Sequence, residues 1–473
     1  MKTRRYLGIG VLSLAFSLGG RAETYTIDTK ERSEPFEGWG VSLCWWANMC
    51  GRWDDESVEQ LVDWLVAPDG LNYRIFRYNI GGGDDPQNRH CEPHHMGKGK
   101  GLRAEMEGFQ DGPGEPYRWE RDEAQRRIML MIKKKRPDAI FEAFSNSAPW
   151  WMTVSGCVGG NSPATADNVR PNMYETFAHY LVDVCRHYRD AYGLEFRTLE
   201  PFNEPVTDFW YANGSQEGCH FSAEEQVKMV KILHPILQQS GLKTVIAASD
   251  ETNVEQAIRT LRVYHDAAVL PLVGQWNTHT YSGSLEAKDE LHRLTKTLGV
   301  KLWQSETGNS GEGIHGNLMM AQRLIDDIRT LRPAAWLDWQ YVEERNQQWS
   351  LVSTDHTWHS YTRHHNYYIR QQFSRFVREG YSFVESGSPH ALAALSPDGR
   401  ELVVVALNTS RETVPHTVGV PALKKIRAFR TSETEDLAPN KAFTYSKKEQ
   451  TLSFELPPLS IVTFVASTDA KTR

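Results

Sequence analysis

Two short strings in this chain carry residue types that can do chemistry: Phe202-Asn203-Glu204-Pro205 and Trp303-Gln304-Ser305-Glu306-Thr307-Gly308. Each follows an apolar or β-branched run, where a strand would end. Two carboxyl groups on separate strand ends, converging on one cleft, are what hydrolysis of a glycosidic bond needs. One protonates the leaving oxygen and the other attacks or stabilises the anomeric carbon. Glu142, Asp250 and Glu251 also fall near strand ends and form a reserve of carboxylates. A rival chemistry is packed into His90-Cys91-Glu92-Pro93-His94-His95. These are metal-ligand types, but Pro93 breaks any helix and the spacing matches no common ligand pattern. A loop lining the substrate fits this string better, and neither a metal nor a cofactor is expected.

The elements that must position the two glutamates are legible as an alternation. Strand-like runs occupy 38–46, 73–81, 139–146, 197–203, 244–249, 274–281, 300–306 and 334–341. Amphipathic stretches lie between them, for example 121–135, 174–192, 223–239, 254–265, 285–298 and 316–331. Eight such alternations predict a (β/α)8 TIM barrel, an α/β fold whose active residues sit at the C-terminal ends of the strands. A doubly wound sheet is the rival, but Gly81-Gly82-Gly83 lacks the dinucleotide-binding spacing. After Gly380 the pattern becomes short strands with polar turns: 391–395, 401–407, 426–431, 450–456 and 460–465. This predicts a C-terminal side β-structure, or β-sandwich module, packed tightly on the barrel. Residues 24–27 are placed to add a strand to it. The division expected is 1–22 signal peptide, 23–35 N-terminal strand, 36–380 catalytic barrel and 381–468 β-module.

Composition narrows the function classes. A net charge of −7 and no long basic run argue against nucleic acid as a partner. The 15 Trp, 18 Tyr and 18 Phe cluster beside Gly, Asn and Ser, as in Trp45-Trp46 and Trp150-Trp151. Such pairs serve either as core filling or as flat faces for sugar rings. Lys2, Arg4 and Arg5, an apolar stretch from Tyr6 to Leu18, and small Gly20 and Ala22 read as a secretory signal peptide. Secretion or a periplasmic location follows, with Glu23 as the mature start and no membrane span. Six cysteines allow disulfides or free buried thiols, and spacing does not choose between them. Asn213-Gly214-Ser215 and Asn408-Thr409-Ser410 are glycosylation sequons. A monomer is the default.

From Pro35 to Val465 the chain resembles glycoside hydrolase family 30, a group of retaining β-glycosidases with a (β/α)8 barrel and a side β-structure. The strings that carry the resemblance are Gly38-Trp39-Gly40, Phe76-Arg77-Tyr78-Asn79-Ile80-Gly81-Gly82, Ser145-Asn146-Ser147-Ala148-Pro149-Trp150-Trp151 and Asn203-Glu204-Pro205. Further along come His279-Thr280-Tyr281, Ser305-Glu306-Thr307-Gly308 and the run from Phe373 to Tyr381. The resemblance implies that Glu204 is the acid/base and Glu306 the nucleophile. Asn203 would bond the hydroxyl next to the anomeric carbon. Arg77 would lie beneath the site and keep Glu306 ionised, while an apolar wall and the neighbouring charge would raise Glu204. Asp84 and Trp150 match sugar-binding positions, Tyr281 would bond Glu306, and Trp339 would floor the cleft. His279 and Trp46 complete the expected substrate-binding set. Read without the resemblance, Arg77 could be a structural ion-pair partner, His279 and Tyr281 satisfied core residues, and Asp84 part of a plain turn.

Val41-Ser42-Leu43-Cys44-Trp45-Trp46-Ala47-Asn48 and the string from Asn79 to Gly83 are most similar to the endo-β-1,6-galactanase subgroup, which acts on arabinogalactan side chains. A β-1,6-glucanase, or another exported β-glycosidase of the family, is the alternative. A non-catalytic carbohydrate-binding protein is the alternative of another class; it would be expected to lack at least one of Glu204 and Glu306.

Overall fold

The computed structural model describes residues 21–85, 87, 106–308 and 311–468. The signal-peptide stretch up to Gly20 and the 90–95 string lie outside the described residues. Eight parallel strands close into a barrel: Gly38–Ser42, Ile75–Asn79, Ile140–Phe144, Thr198–Glu200, Val245–Asn253, Gln275–Ser282, Leu302–Glu306 and Ala335–Asp338. The eighth strand pairs with the first. Helices fill the connections, so the TIM barrel expected from the alternation is the observed fold.

Local chemistry explains the elements. The helix Asp55–Val66 starts where the Asp54 carboxylate accepts from Ser57 N at 2.8 Å, and its apolar face buries Val58, Leu61, Val62 and Leu65. Ser222, Asn253 and Ser284 cap three later helices in the same way. Gly40 is demanded by packing between the first two strands: a Cβ there would lie 2.2 Å from the Ile75 carbonyl oxygen. Inside the barrel, Ile75, Trp303, Ala335 and Leu337 form an apolar plug towards the N-terminal end. Charged and amide side chains occupy the next layer.

Register puts those groups together. Arg77 pairs with Glu142 on the neighbouring strand, and His279 pairs with Glu306. The fourth strand ends at Glu200, short of the expected 203, so Glu204 sits in a bend beyond the ladder. The fifth strand runs on through Asp250 and Glu251 with shifted register, further than the expected 249. After the eighth strand the chain builds a small sheet, Val342–Glu344, Val352–Asp355 and Ser360–Arg363, that the period-2 reading did not find.

The remaining strands form a seven-stranded and a four-stranded sheet. Strand Glu401–Asn408 is buried on both faces. Leu402, Val404 and Ala406 point into the space between the sheets, while Val403, Val405 and Leu407 join the barrel's core. Helix His365–Ser374 lies at the junction: Gln372 donates to Thr431 Oγ1 at 2.8 Å and accepts from Thr463 Oγ1 at 2.7 Å. Glu23–Thr26 pairs with Val414–Gly419 in the smaller sheet, and Asp28–Arg32 pairs with Ser382–Glu385 in the larger. Among the described residues no helix is long and apolar enough to cross a membrane.

Gly40→Ala should therefore cost about 3 kcal/mol by overpacking the barrel wall. Urea unfolding would show it as a lower midpoint at unchanged slope.

Candidate active site

Arg77 is fully buried at the centre of the barrel, its guanidinium 4.0 Å from the Phe144 ring centroid. Its Nε donates to Glu142 Oε1 at 3.1 Å, Nη1 to Glu306 Oε2 at 2.6 Å, and Nη2 to Asp250. Each carboxylate has further partners. Thr198 and Gln275 donate to Glu142 Oε2 at 2.7 and 3.0 Å, and Asn277 donates to Oε1 at 3.0 Å. Ser305 donates its hydroxyl to Asp250 Oδ1. Tyr281 donates to Glu306 Oε1 at 2.9 Å.

His279 stands between the acids, with Nδ1 3.3 Å from Glu204 Oε1 and 3.5 Å from Glu306 Oε1, and Nε2 3.2 Å from Asp250 Oδ1. Burial opposes its charge, but Glu306 and Asp250 outweigh that and push its pKa up to about 10. His279 is therefore an imidazolium at neutral pH. Asp250 is held below the usual carboxylate range: burial opposes this, and the adjacent Arg77 and His279 overcome it. Glu306 is shifted in the opposite direction. Burial raises its carboxyl, with Glu204 and Asp250 adding to the rise, and His279 and Arg77 only partly reverse it. Arg77 is shared among three acids, so none receives its full charge. Burial, with Asp250 and Glu142 nearby, keeps Glu200 far above its usual value.

Carboxylate oxygens of Glu204 and Glu306 and a nitrogen of His279 lie within 4.8 Å of one another. A cation bound there would have to displace the His279 proton. Glu204 has left-handed backbone, φ 47°, which a non-glycine residue holds only when its surroundings enforce it. The restraints are present: Glu204 N donates to the Asp250 carbonyl at 2.9 Å, and the Trp210 indole donates to the Glu204 carbonyl at 3.0 Å.

The two glutamates open onto a cavity of about 650 Å³. Asn203, Tyr281 and Trp339 line it as well, and Asn203 Oδ1 is buried without a hydrogen-bond partner. Arg77 and His279 sit beneath it. Three of the expected substrate-contact residues are not among those that line it. Trp46 is core: it starts a short helix, Trp46–Cys50, donates to the Ser42 carbonyl at 3.0 Å and packs edge-on against Tyr341. Trp150 opens a buried 3-10 turn, and Asp84 accepts from Asp85 N at 2.9 Å in the loop after the second strand. Neither lines the cavity.

Sequence reasoning missed Trp210 and Phe209 on one wall and Trp349 and Asn346 on the other. The string Phe209-Trp210-Tyr211, close behind Glu204, was an available signal; Trp349 lies in a polar loop with none. Trp45, the partner of Trp46 in sequence, packs edge-on against Trp339 at 5.8 Å between ring centres and supports the cavity floor. Asn408 is buried, with its amide donating to three carbonyls, so its sequon is not available for glycosylation.

A parallel barrel with two cavity-facing carboxyls at its C-terminal end, over a buried arginine, is the arrangement a glycoside hydrolase uses. The profile of O-glycosyl hydrolase family 30 matches residues 22–260. The chain is 32% identical over 416 residues to an endo-β-1,6-galactanase of Hypocrea rufa, covering 84% of each. It is 22% identical over 401 residues to an endo-1,6-β-D-glucanase of Aspergillus fumigatus, covering 78% of this chain and 77% of that one. The catalytic domain of a family 30 xylanase from Talaromyces cellulolyticus superposes with a TM-score of 0.72 at 18% identity, covering 94% of this chain and all of that one. The chain belongs to glycoside hydrolase family 30.

Arg77→Met would strand three buried carboxylates and should cost about 3–5 kcal/mol, read by denaturant unfolding. The raised pKa of His279 gives a second test. Its stabilisation is complete below the ordinary histidine range and is lost as pH rises through about 10. The melting temperature should fall between pH 8 and 10, and His279→Gln should flatten that slope. Asp122 and Glu251, buried carboxyls pushed up to about 7, act below this window.

Proposed function

We propose that this enzyme is an exported, retaining endo-β-1,6-galactanase acting on arabinogalactan side chains. The observation that carries the substrate is the 32% identity, over 84% of the chain, to an endo-β-1,6-galactanase. The observation that supports the mechanism is the carboxylate separation. One oxygen of Glu204 and one of Glu306 lie within 4.8 Å of each other, the close approach that a retaining pair, with carboxyl groups roughly 5–5.5 Å apart, needs.

In this reading Glu306 attacks the anomeric carbon through Oε1, the oxygen turned to Tyr281, while Arg77 holds Oε2 at the base. Glu204 gives its proton to the glycosidic oxygen, and a glycosyl ester forms on Glu306. Glu204 then takes a proton from a water that enters where the leaving group stood, and the ester is hydrolysed with net retention. The unpartnered Asn203 Oδ1 accepts from the neighbouring sugar hydroxyl, and Trp339 floors the ring. Tyr281 steadies the nucleophile until the ester forms. Export is supported by the basic–apolar–small pattern of Met1 to Ala22 and by a disulfide-bonded Cys157, which suits an oxidising compartment.

The test is product analysis on de-arabinosylated arabinogalactan, β-1,6-glucan, glucuronoxylan and β-1,3-galactan. Short β-1,6-galactooligosaccharides from the first alone are expected; cleavage of β-1,6-glucan instead would move the substrate to the alternative. Glu306→Ala should abolish turnover while leaving the fold intact. Glu204→Ala should slow natural glycans by about 10²–10⁴-fold and activated aryl glycosides far less, because only the former need a proton donor.

A further inference from the structure

A second cavity, of about 360 Å³, adjoins the catalytic one and shares Phe209 and Thr252 with it. Its other walls are Thr165, Val206, Thr207, Asp208, His220 and Asn253. We propose that this cavity is a leaving-group-side subsite that binds hexopyranose units of the β-glycan chain beyond the cleaved bond; this rests on the hydrolase reading above and deepens it.

Four observations carry the assignment. The first is position. Val206 to Phe209 directly follow Glu204 and Pro205, and Thr252 and Asn253 end the neighbouring fifth strand. The proton donor must face the departing oxygen, so the departing half of the chain lies on the side of Glu204. Glu306 and Trp339 stand at the ends of the seventh and eighth strands, on the other side of the cavity.

The second is continuity. Phe209 and Thr252 line both cavities, so the two lie side by side, as an enzyme cutting within a polymer requires. The third is an aromatic face: Phe209 is 43% exposed at the junction of the two cavities. A ring held open to solvent between two sugar-sized spaces suits stacking on the apolar face of a pyranose. The fourth is unsatisfied polarity. Thr207 Oγ1 and Thr252 Oγ1 are buried without a hydrogen-bond partner, and both residues line this cavity. A sugar hydroxyl would complete them, whereas an apolar occupant would not. The wall is also preformed. Asp167 accepts from Ser222 N at 2.6 Å and lies 2.9 Å from His220 Nδ1, which fixes the His220 ring.

The experiment compares kcat/KM for two substrates in the full-length enzyme. One is a reduced β-1,6-galactooligosaccharide long enough to span both cavities. The other is 4-nitrophenyl β-1,6-galactobioside, whose leaving group is a single aryl ring. Phe209→Ala and Thr207→Val should each lower the oligosaccharide value about 10-fold relative to the aryl value. Phe209→Tyr and Thr207→Ser should restore most of the ratio. An unchanged ratio in both variants would overturn the subsite, whether the two values fall together or not at all. Wild-type enzyme inert on the galactan oligomer but active on β-1,6-glucooligosaccharides would overturn the substrate alone. The same ratio is then measured with a glucan oligomer and its aryl bioside.

Discussion

One buried guanidinium organises the catalytic end of this barrel. Arg77 reaches three carboxylates from three different strands. Removing acids from water is expensive, and the cost is met only where geometry and hydrogen bonding are complete. That condition explains the surrounding amide and hydroxyl groups of Asn277, Gln275, Thr198 and Ser305, each of which donates to an acid that Arg77 has already engaged. His279 supplies a second positive charge one layer nearer the cavity. The site is thus a stack: an apolar plug, a charged layer, and then the carboxyls of Glu204 and Glu306.

Above that stack the walls come from loops, and they differ in character. The loop after the fourth strand brings Phe209, Trp210 and the segment from Gly214 to Gln216 to one side. The connection after the eighth strand brings Trp339, Asn346 and Trp349 to the other. The first wall is tied to Glu204 through the Trp210 indole. A change in that loop therefore alters the position of Glu204 as well as the shape of the cavity, which on the proposed mechanism couples specificity to rate. The sequon at Asn213 lies on this wall, beside cavity-lining Gly214 and Ser215.

Much of this was legible in the sequence because it is local. Glu204 and Glu306 announce themselves in short strings at strand ends, and the barrel shows as alternating periods. What depended on register was not legible. Asp250 and Glu142 looked like spare acids; only closure of the barrel, which brings the third and fifth strands' side chains to Arg77 on the second, makes them its partners. Trp46 looked like half of an aromatic platform, but the chain turns into a helix straight after the first strand and swings that indole into the core. In the β-module, strands such as Glu401–Asn408 were plain from their apolar content. Val414–Gly419 and Glu435–Asn440 carry Pro415 and Pro439 and half-exposed polar residues, so their periodicity is weak.

The two strands Glu23–Thr26 and Asp28–Arg32 enter different sheets of a module otherwise built from residues after 381. The consequence concerns folding order. More than 340 residues separate Asp28–Arg32 from its partner Ser382–Glu385, so both sheets stay incomplete until almost the whole polypeptide is available. Such distant pairing is slow, because a very long loop must close before any contact rewards it. Until then Leu392, Val403 and Val405, which complete the barrel's own core from the module side, are missing from it. Barrel and module should therefore reach the native state as one cooperative unit, and a barrel cut free at residue 380 would present an uncovered apolar face instead of an independent domain.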